Sequence, residues 1–289
     1  QELGARLLAL QRGLLCTRHD IAWMTWLNGE TTEALAACEQ TWRDRSTLLG
    51  PDDPDTLQSR HVLGVMLNNT GGHQQEAIQH LQATFAARRV ALGATHPDTI
   101  ATLRELAFAH RKAGELELAL PYFQEALASE EARPSPDWRQ VIDLHKHLAA
   151  LYRDMKADIE IPLEHLRIAS QLLDEHRPDD VMERLETRGS YAKTLHEFHD
   201  YEAAAPILEQ VVEEARTLYP EADRWKIGYY LALLGSTRKQ LDDVDGALAA
   251  LREAAELTQG SRFESVVARA LAELEAKIAE GDDEVSSGL

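Results

Sequence analysis

The stretch LGPDDPDT, residues 49–56, returns almost unchanged as LGATHPDT at residues 92–99, which lie 43 positions later. In each copy a glycine stands where one helix would end, and a proline stands where the next would begin. The aspartate after each proline would lie in a first helical turn, where negative charge is favourable. We therefore interpret the copies as junctions between repeated helical units, with Gly50 and Gly93 capping the preceding helices.

The interval of 42 or 43 residues continues along most of the chain. A small residue or proline recurs at Ala34, Ala77, Ala119, Pro162, Ala204 and Ala247. Four residues after each of these stand Cys38, Leu81, Phe123, Leu166, Leu208 and Leu251. An offset of four places both positions on one face of a helix. A second apolar stripe, a pair that is most often Leu–Ala or Leu–Gly, lies upstream in each unit and marks another helix. The pairs are Ile21–Ala22, Leu63–Gly64, Leu106–Ala107, Leu148–Ala149, Tyr191–Ala192 and Leu234–Gly235. Each unit is therefore predicted to be a pair of helices, helix A followed by helix B.

This pattern predicts an all-α fold, a superhelix of about six helix pairs with a capping helix. The predicted repeats occupy about residues 13–50, 51–93, 94–133, 134–176, 177–219 and 220–260. The remaining segments are predicted as an N-terminal helix or remnant of a preceding unit, a capping helix and a flexible acidic tail, at 1–12, 261–281 and 282–289. The composition agrees, because aromatic residues make up only 6% and strong helix formers dominate.

Charge and composition exclude several classes of function. A formal net charge of −19 argues against nucleic-acid or anionic-membrane partners, which need a basic surface. The sequence contains no run of 18 apolar residues, so no membrane span is predicted, and the first residues do not resemble a signal peptide. Cys16 and Cys38 are expected to be free thiols in a reducing, cytoplasmic compartment. Since the chain does not begin with Met, we expect a further domain of the same polypeptide upstream.

The sequence shows no recognisable catalytic or metal-binding motif. His196 and His199 are three residues apart, whereas a zinc-protease helix needs a spacing of four. With Asp200 they form the one cluster worth testing for a hidden hydrolase. The acidic segment DDVDG at 242–246 lacks the first ligand of a calcium loop, because Leu241 stands there. We therefore expect no cofactor, no metal and no enzymatic activity.

These repeats resemble the tetratricopeptide repeat (TPR), and the resemblance implies that the fold is a right-handed α-α superhelix. The interval of 42 or 43 residues and the LGATHPDT junction resemble the kinesin-light-chain type, which is longer than the usual TPR of about 34 residues. The last repeat, at 223–254, is similar to the end of arrays attached to bacterial serine/threonine kinases and signalling ATPases. The resemblance implies a protein-interaction scaffold within a larger bacterial signalling protein. A regulatory array that binds its own polypeptide and a structural spacer or self-association module are the alternatives.

In the resembling families, residues just before the conserved Leu–Ala or Leu–Gly pair of helix A face a concave groove. Here that stripe is basic or rich in histidine despite the acidic chain, at Arg18, His19, Arg60, His61, Arg104, His145, Lys146, His147 and Arg188. Arginines in such a groove would bind an acidic or extended peptide by charge-assisted hydrogen bonds. The alternative is that these are ordinary helix residues pairing with acids on neighbouring helices.

Overall fold

The computed structural model describes residues 2–287, with side chains described as far as residue 279. Within this range the chain forms thirteen α-helices and one short 3₁₀ helix, and the same range contains no strand. The all-α prediction is therefore confirmed. The chain forms two compact units, Gln1–Leu151 and Tyr152–Leu289.

The first unit is a succession of antiparallel helix pairs. Its helices are α1 (Glu2–Leu27), α2 (Thr31–Leu49), α3 (Pro54–Thr70), α4 (Gln74–Leu92), α5 (Pro97–Lys112), α6 (Leu116–Glu131) and most of α7 (Trp138–Asp154). From α1 to α6, each helix packs against the next. Helices A are therefore α1, α3 and α5, and helices B are α2, α4 and α6.

The second unit continues the same order of helices. It contains α8 (Glu160–His176), α9 (Val181–Glu197), α10 (Tyr201–Leu218), the 3₁₀ helix (Glu221–Asp223), α11 (Arg224–Gln240), α12 (Val244–Leu257) and α13 (Glu264–Ser287). From α8 to α13, each α-helix packs against the next one along the chain. The A and B helices of its last two repeats are thus α9 with α10 and α11 with α12.

The periodic residues form the interior of the pairs. All six small or proline positions of helix B are buried, and so are the six apolar positions that follow four residues later. The glycine of helix A allows the two helices to approach closely: a Cβ atom on Gly64 would lie 2.7 Å from Cγ of Leu81. A Cβ atom on Gly235 would likewise lie 2.8 Å from Cγ of Leu251. Small residues therefore set the distance between helices A and B.

The repeated octets have the local structure expected of junctions. Gly50 and Gly93 have φ angles of +98° and +89°, which only glycine adopts without strain, and their N–H groups donate to the last turn of helix B. Proline is the first residue of both α3 and α5. The Asp53 carboxylate accepts a hydrogen bond from the N–H of Asp55 at 2.9 Å and so caps α3. The octets therefore end one helix and begin the next within a few residues.

The ends of the chain differ from the predicted segments. Helix α1 is continuous from Glu2 to Leu27, because Gly13 is accommodated within the helix and does not interrupt it. Residues 2–12 therefore belong to the first helix A and form no separate helix. At the other end, α13 extends past residue 281, where the capping helix was predicted to stop, and reaches Ser287. Residues 288–289 of the predicted tail lie outside the described range.

Candidate functional site

A buried arginine connects the first repeat to the second. Nη1 of Arg45, near the end of α2, donates to the carbonyl oxygen of Asp55 at 2.8 Å and to Oγ of Ser59 at 2.6 Å, both on α3. Its Nη2 donates to Sγ of Cys16 on α1 at 3.2 Å. The Arg45 side chain thus joins three helices through one planar group, a geometry that arginine provides and lysine does not.

The same arrangement recurs one repeat later. Nη1 of Arg88 on α4 donates to the carbonyl oxygen of Asp98 at 3.0 Å and to Oγ1 of Thr102 at 2.8 Å. Its Nη2 donates to Oε1 of Gln58 on α3 at 2.6 Å. We call these two networks the arginine brackets. Both arginines are buried, so their hydrogen bonds to backbone and side-chain oxygens offset the cost of removing a charge from water.

Two of the histidines predicted to line a groove belong to these brackets. Nδ1 of His19 lies 3.3 Å from Oγ of Ser59, and Nδ1 of His61 lies 3.3 Å from Oγ1 of Thr102. Burial, followed by the charges of Arg88 and Arg104, lowers the pKa of His61 to about 3. Burial and the charge of Arg45 also lower the pKa of His19. Both histidines are therefore neutral at pH 7 and add no positive charge to this face.

The arginines three residues before the conserved pair contact helix B. Nη1 of Arg18 lies 2.8 Å from the Asp44 carboxylate on α2. Arg188 pairs in the same way with Glu214 on α10. The guanidinium of Arg60 lies over the ring of Trp42 on α2, 5.4 Å from its centroid. Arg18 and Arg188 therefore pair with acids on neighbouring helices, as in the alternative considered from the sequence, whereas Arg60 contacts an aromatic ring.

The remaining predicted residues cluster on α5 and α7. Nη2 of Arg104 lies 3.9 Å from the carboxylate of Glu105, and its Nη1 donates to Gln140 at 3.4 Å. Burial, followed by the charge of Arg104, lowers the pKa of His147 to about 4. The His147 ring packs edge-on against the Phe108 ring, with the two ring centroids 4.6 Å apart.

His145 is buried and Lys146 is partly buried. The nine residues therefore form no single exposed basic stripe, and their role in peptide binding stays a prediction.

A cleft of about 360 Å³ opens on helices A of the first unit. Its lining comes from α1, α3 and α5, with Val62 and Val65 on the middle helix. The full lining is His19, Asp20, Trp23, Gln58, His61, Val62, Val65 and Glu105. Burial raises the pKa of Glu105, and the nearby Arg104 opposes that rise. The cleft thus combines an apolar centre with two carboxyl side chains at its ends.

Sequence reasoning found part of this cleft. The residue immediately before the conserved pair is Asp20 on α1, Val62 on α3 and Glu105 on α5, and all three line it. Trp23, Gln58 and Val65 also line the cleft, and the sequence analysis did not single them out. The position one residue before the pair predicts residues that line the cleft. The position three residues before the pair does not, because a shift of two residues along a helix turns a side chain about 200° around the axis.

The clusters considered for metal binding or hydrolysis have structural partners. Nδ1 of His196 lies 2.9 Å from Oγ1 of Thr237, and Nδ1 of His199 lies 2.6 Å from the Tyr201 hydroxyl. The Asp243 carboxylate accepts a hydrogen bond from the N–H of Gly246 and caps α12. Among the described residues, no group of three His, Cys, Asp or Glu side chains is placed to hold a metal ion. Within the same part of the chain, no helix has the length and apolar character needed to cross a membrane.

Comparison with protein families identifies the repeats. Residues 17–55 and 72–132 match two family models, each described as tetratricopeptide repeat. No curated protein sequence matches the chain.

Solved structures of similar fold include a kinesin light chain of Podospora anserina with nearly identical TPR-like repeats. It is 23% identical with a TM-score of 0.63, over 71% of this chain and 97% of that one. BtubC (BKLC) from P. vanneervenii is 15% identical with a TM-score of 0.65, over 78% and 90% of the two chains. A Rap protein complexed with Competence and Sporulation Factor is 14% identical with a TM-score of 0.58, over 95% and 74%. Residues 17–55 and 72–132 are therefore tetratricopeptide repeats, and the chain shares its fold with solved repeats of the kinesin-light-chain type.

Proposed function

We propose that this chain is a protein-interaction module that binds an extended peptide segment in the cleft on α1, α3 and α5. The observation that carries the proposal is the cleft itself, to which three successive helices A contribute both apolar and polar side chains. An apolar side chain of the peptide would pack on Val62 and Val65. Polar groups at the ends of the cleft would fix its direction, as is usual for concave binding sites.

The charges of the cleft favour a different peptide from the acidic one that the sequence suggested. Asp20 and Glu105 are its charged lining residues, and the two histidines are neutral at pH 7. An acidic segment would place like charges beside these carboxyl groups, which costs binding free energy. We therefore propose a segment with an apolar anchor flanked by amide, hydroxyl or basic groups.

The structural neighbours support binding of this kind by the fold. The similar Rap protein was crystallised with Competence and Sporulation Factor. The similar Cut9 was crystallised with Hcn1 as a hetero-tetramer, at 16% identity. A setting inside a larger bacterial signalling protein, a cytoplasmic location, an intramolecular ligand and a spacer role stay predictions.

The proposal is tested by selecting peptides from a random library on the purified chain and measuring their binding by calorimetry. We expect the variant Val65→Lys to lose the selected peptides, because it places a charge on the apolar centre of the cleft. Val90→Lys is the matched control, since Val90 is an exposed valine on α4 outside the lining. Peptides that bind both variants equally well would move the binding site away from the cleft.

A further inference from the structure

Helix α1 exposes an unusual number of large apolar side chains. Only Leu15 and Ala22 of its 26 residues are buried. Side chains that are between 56% and 84% exposed form one stripe, at Leu3, Leu7, Leu10, Leu14, Ile21 and Met24. We call this stripe the α1 seam. Single exposed apolar residues are common on protein surfaces, but a contiguous stripe of six marks an interaction site.

The spacing of the seam is that of a coiled coil. Its members alternate steps of four and three residues, with Thr17 at the one polar position between Leu14 and Ile21. This average of 3.5 residues keeps one apolar face toward a partner helix. From Leu3 to Met24 the seam is about 32 Å long at the 1.5 Å rise of an α-helix.

The corresponding face of the next helix A packs against a helix. Leu63 and Met66 on α3 stand 42 residues after Ile21 and Met24. Leu63 and Met66 are buried in one cluster with Cys38, and Trp42 packs against that cluster. Cys38 and Trp42 both lie on α2. The seam therefore occupies a position at which this fold buries a helix.

We infer that the occupant is the same helix of a second copy, so that two chains form an antiparallel dimer through their α1 seams. In the register that places Leu10 opposite Leu14 of the second copy, Leu3 meets Ile21. Both copies then use the same surface, as a two-fold dimer requires.

Charge complementarity supports this register. It places Arg6 of each copy beside Asp20 of the other, one charge of each sign on the flank of the seam. Asp20 is exposed and has no ion pair within the described part of the chain, and Arg6 forms an ion pair with the exposed Glu2 of its own helix at 3.2 Å. Gly13 would lie one residue from the level of the two-fold axis, on the flank that carries Arg6 and Asp20. A Cβ atom on Gly13 would have no neighbour within 4 Å in a single chain, so the surface there is open to close approach.

The first test is the mass of the purified chain, measured by sedimentation equilibrium over a series of concentrations. We expect a dimer, and we expect the variant Leu10→Glu/Leu14→Glu to be a monomer because it places charges at the centre of the seam. Both residues are exposed, so circular dichroism should show an unchanged helical fold. The matched control Val90→Glu/Leu118→Glu carries the same kind of change on exposed apolar residues of α4 and α6 and should remain a dimer.

The second test fixes the register. Arg6→Glu and Asp20→Arg should each weaken the dimer, and the double variant should recover affinity, because the reversed charges face each other again. A parallel pair would not bring these residues together, so absence of recovery overturns the antiparallel arrangement. A native chain that is monomeric at every concentration, or a dimer that survives Leu10→Glu/Leu14→Glu, overturns the proposal itself.

Discussion

Two junctions that occupy equivalent places in their repeats differ in polarity. One follows α4 in the first unit and is polar, and the other follows α10 in the second unit and is apolar. At the first stands Arg88, which is buried and bonded to the carbonyl oxygen of Asp98. The equivalent residue in the second is Ala215, also buried. There Tyr219 and Tyr230 fill the space beside it within the apolar cluster of the unit.

The difference shows that the junction between successive repeats can be stabilised in two ways. A polar bracket depends on the direction and pairing of hydrogen bonds, whereas an apolar junction depends on volume and shape. Burial raises the pKa of both tyrosines, so their hydroxyls remain neutral at pH 7. The first unit should therefore be sensitive to the loss of polar groups, and the second to added volume.

The largest effect is expected from Arg88→Leu. The change removes the buried guanidinium and its hydrogen bonds to the Asp98 carbonyl oxygen, the Thr102 hydroxyl and Gln58, which should lower the free energy of unfolding by about 3 kcal/mol. Urea denaturation followed by circular dichroism measures it. Arg89→Leu is the control, because Arg89 is exposed and forms an ion pair with Glu125 and a contact with the Phe85 ring, so its loss should stay within about 0.5 kcal/mol. Equal losses in the two variants would remove the distinction between bracket and surface.

Gly189→Ala tests the second unit by adding one methyl group. A Cβ atom at this position would lie 2.5 Å from the ring of the buried Tyr230, so the ring must move. Overpacking of this size should cost about 2 kcal/mol in the free energy of unfolding. At Gly4 the same change meets open space and should cause no loss, since alanine favours a helix. A Gly189→Ala protein as stable as the native chain would show that this junction tolerates volume.

The brackets should make stability depend on pH. His61 stays neutral in the folded chain down to a pKa of about 3, whereas an unfolded histidine takes up a proton near pH 6.5. The unfolded state therefore binds more protons between these values, and stability present above about pH 6.5 is lost as pH falls toward 3. His61→Gln should reduce this slope by up to about 1.4 kcal/mol per pH unit. In urea denaturation at several pH values, the exposed His73→Gln is the control, and an unchanged slope in His61→Gln would contradict the assignment.

The smallest effect is expected from Arg18→Ala. Its ion pair with Asp44 is partly exposed, and such pairs contribute about 0.5 kcal/mol or less. The urea midpoint should therefore hardly change. A loss above about 1 kcal/mol would mean that helix A and helix B depend on polar contacts outside the brackets as well.

Most of the fold could be predicted from the sequence because the periodic small and apolar residues set the distance between helix A and helix B of each repeat. Ala77 and Leu81 sit where only a small and a larger apolar residue allow close packing, so their recurrence fixes the helix pairs. The glycine and proline of each octet fix the junctions by backbone conformation. These constraints are local, and a single sequence displays them directly.

The candidate site was harder to predict because it depends on where long side chains reach. The Arg18 side chain reaches Asp44 on helix B, and the His61 ring contacts Thr102 at the junction between repeats. Both residues nevertheless lie beside positions that line the cleft. The arginine brackets were also missed. Their signal was available, since Arg45 and Arg88 stand 43 residues apart, as do Ser59 and Thr102.

The brackets also bear on how such an array gains or loses repeats in evolution. The first two repeats present the same donor at their ends and meet the same kind of acceptor, so removing one whole repeat would bring Arg45 against Asp98 and Thr102 with its bonds preserved. The third repeat ends differently, with a buried Glu130 that accepts from the N–H of Asp137 at 2.8 Å. Duplication or deletion is therefore compatible with the first two repeats, and the third is the boundary at which interchangeable modules end.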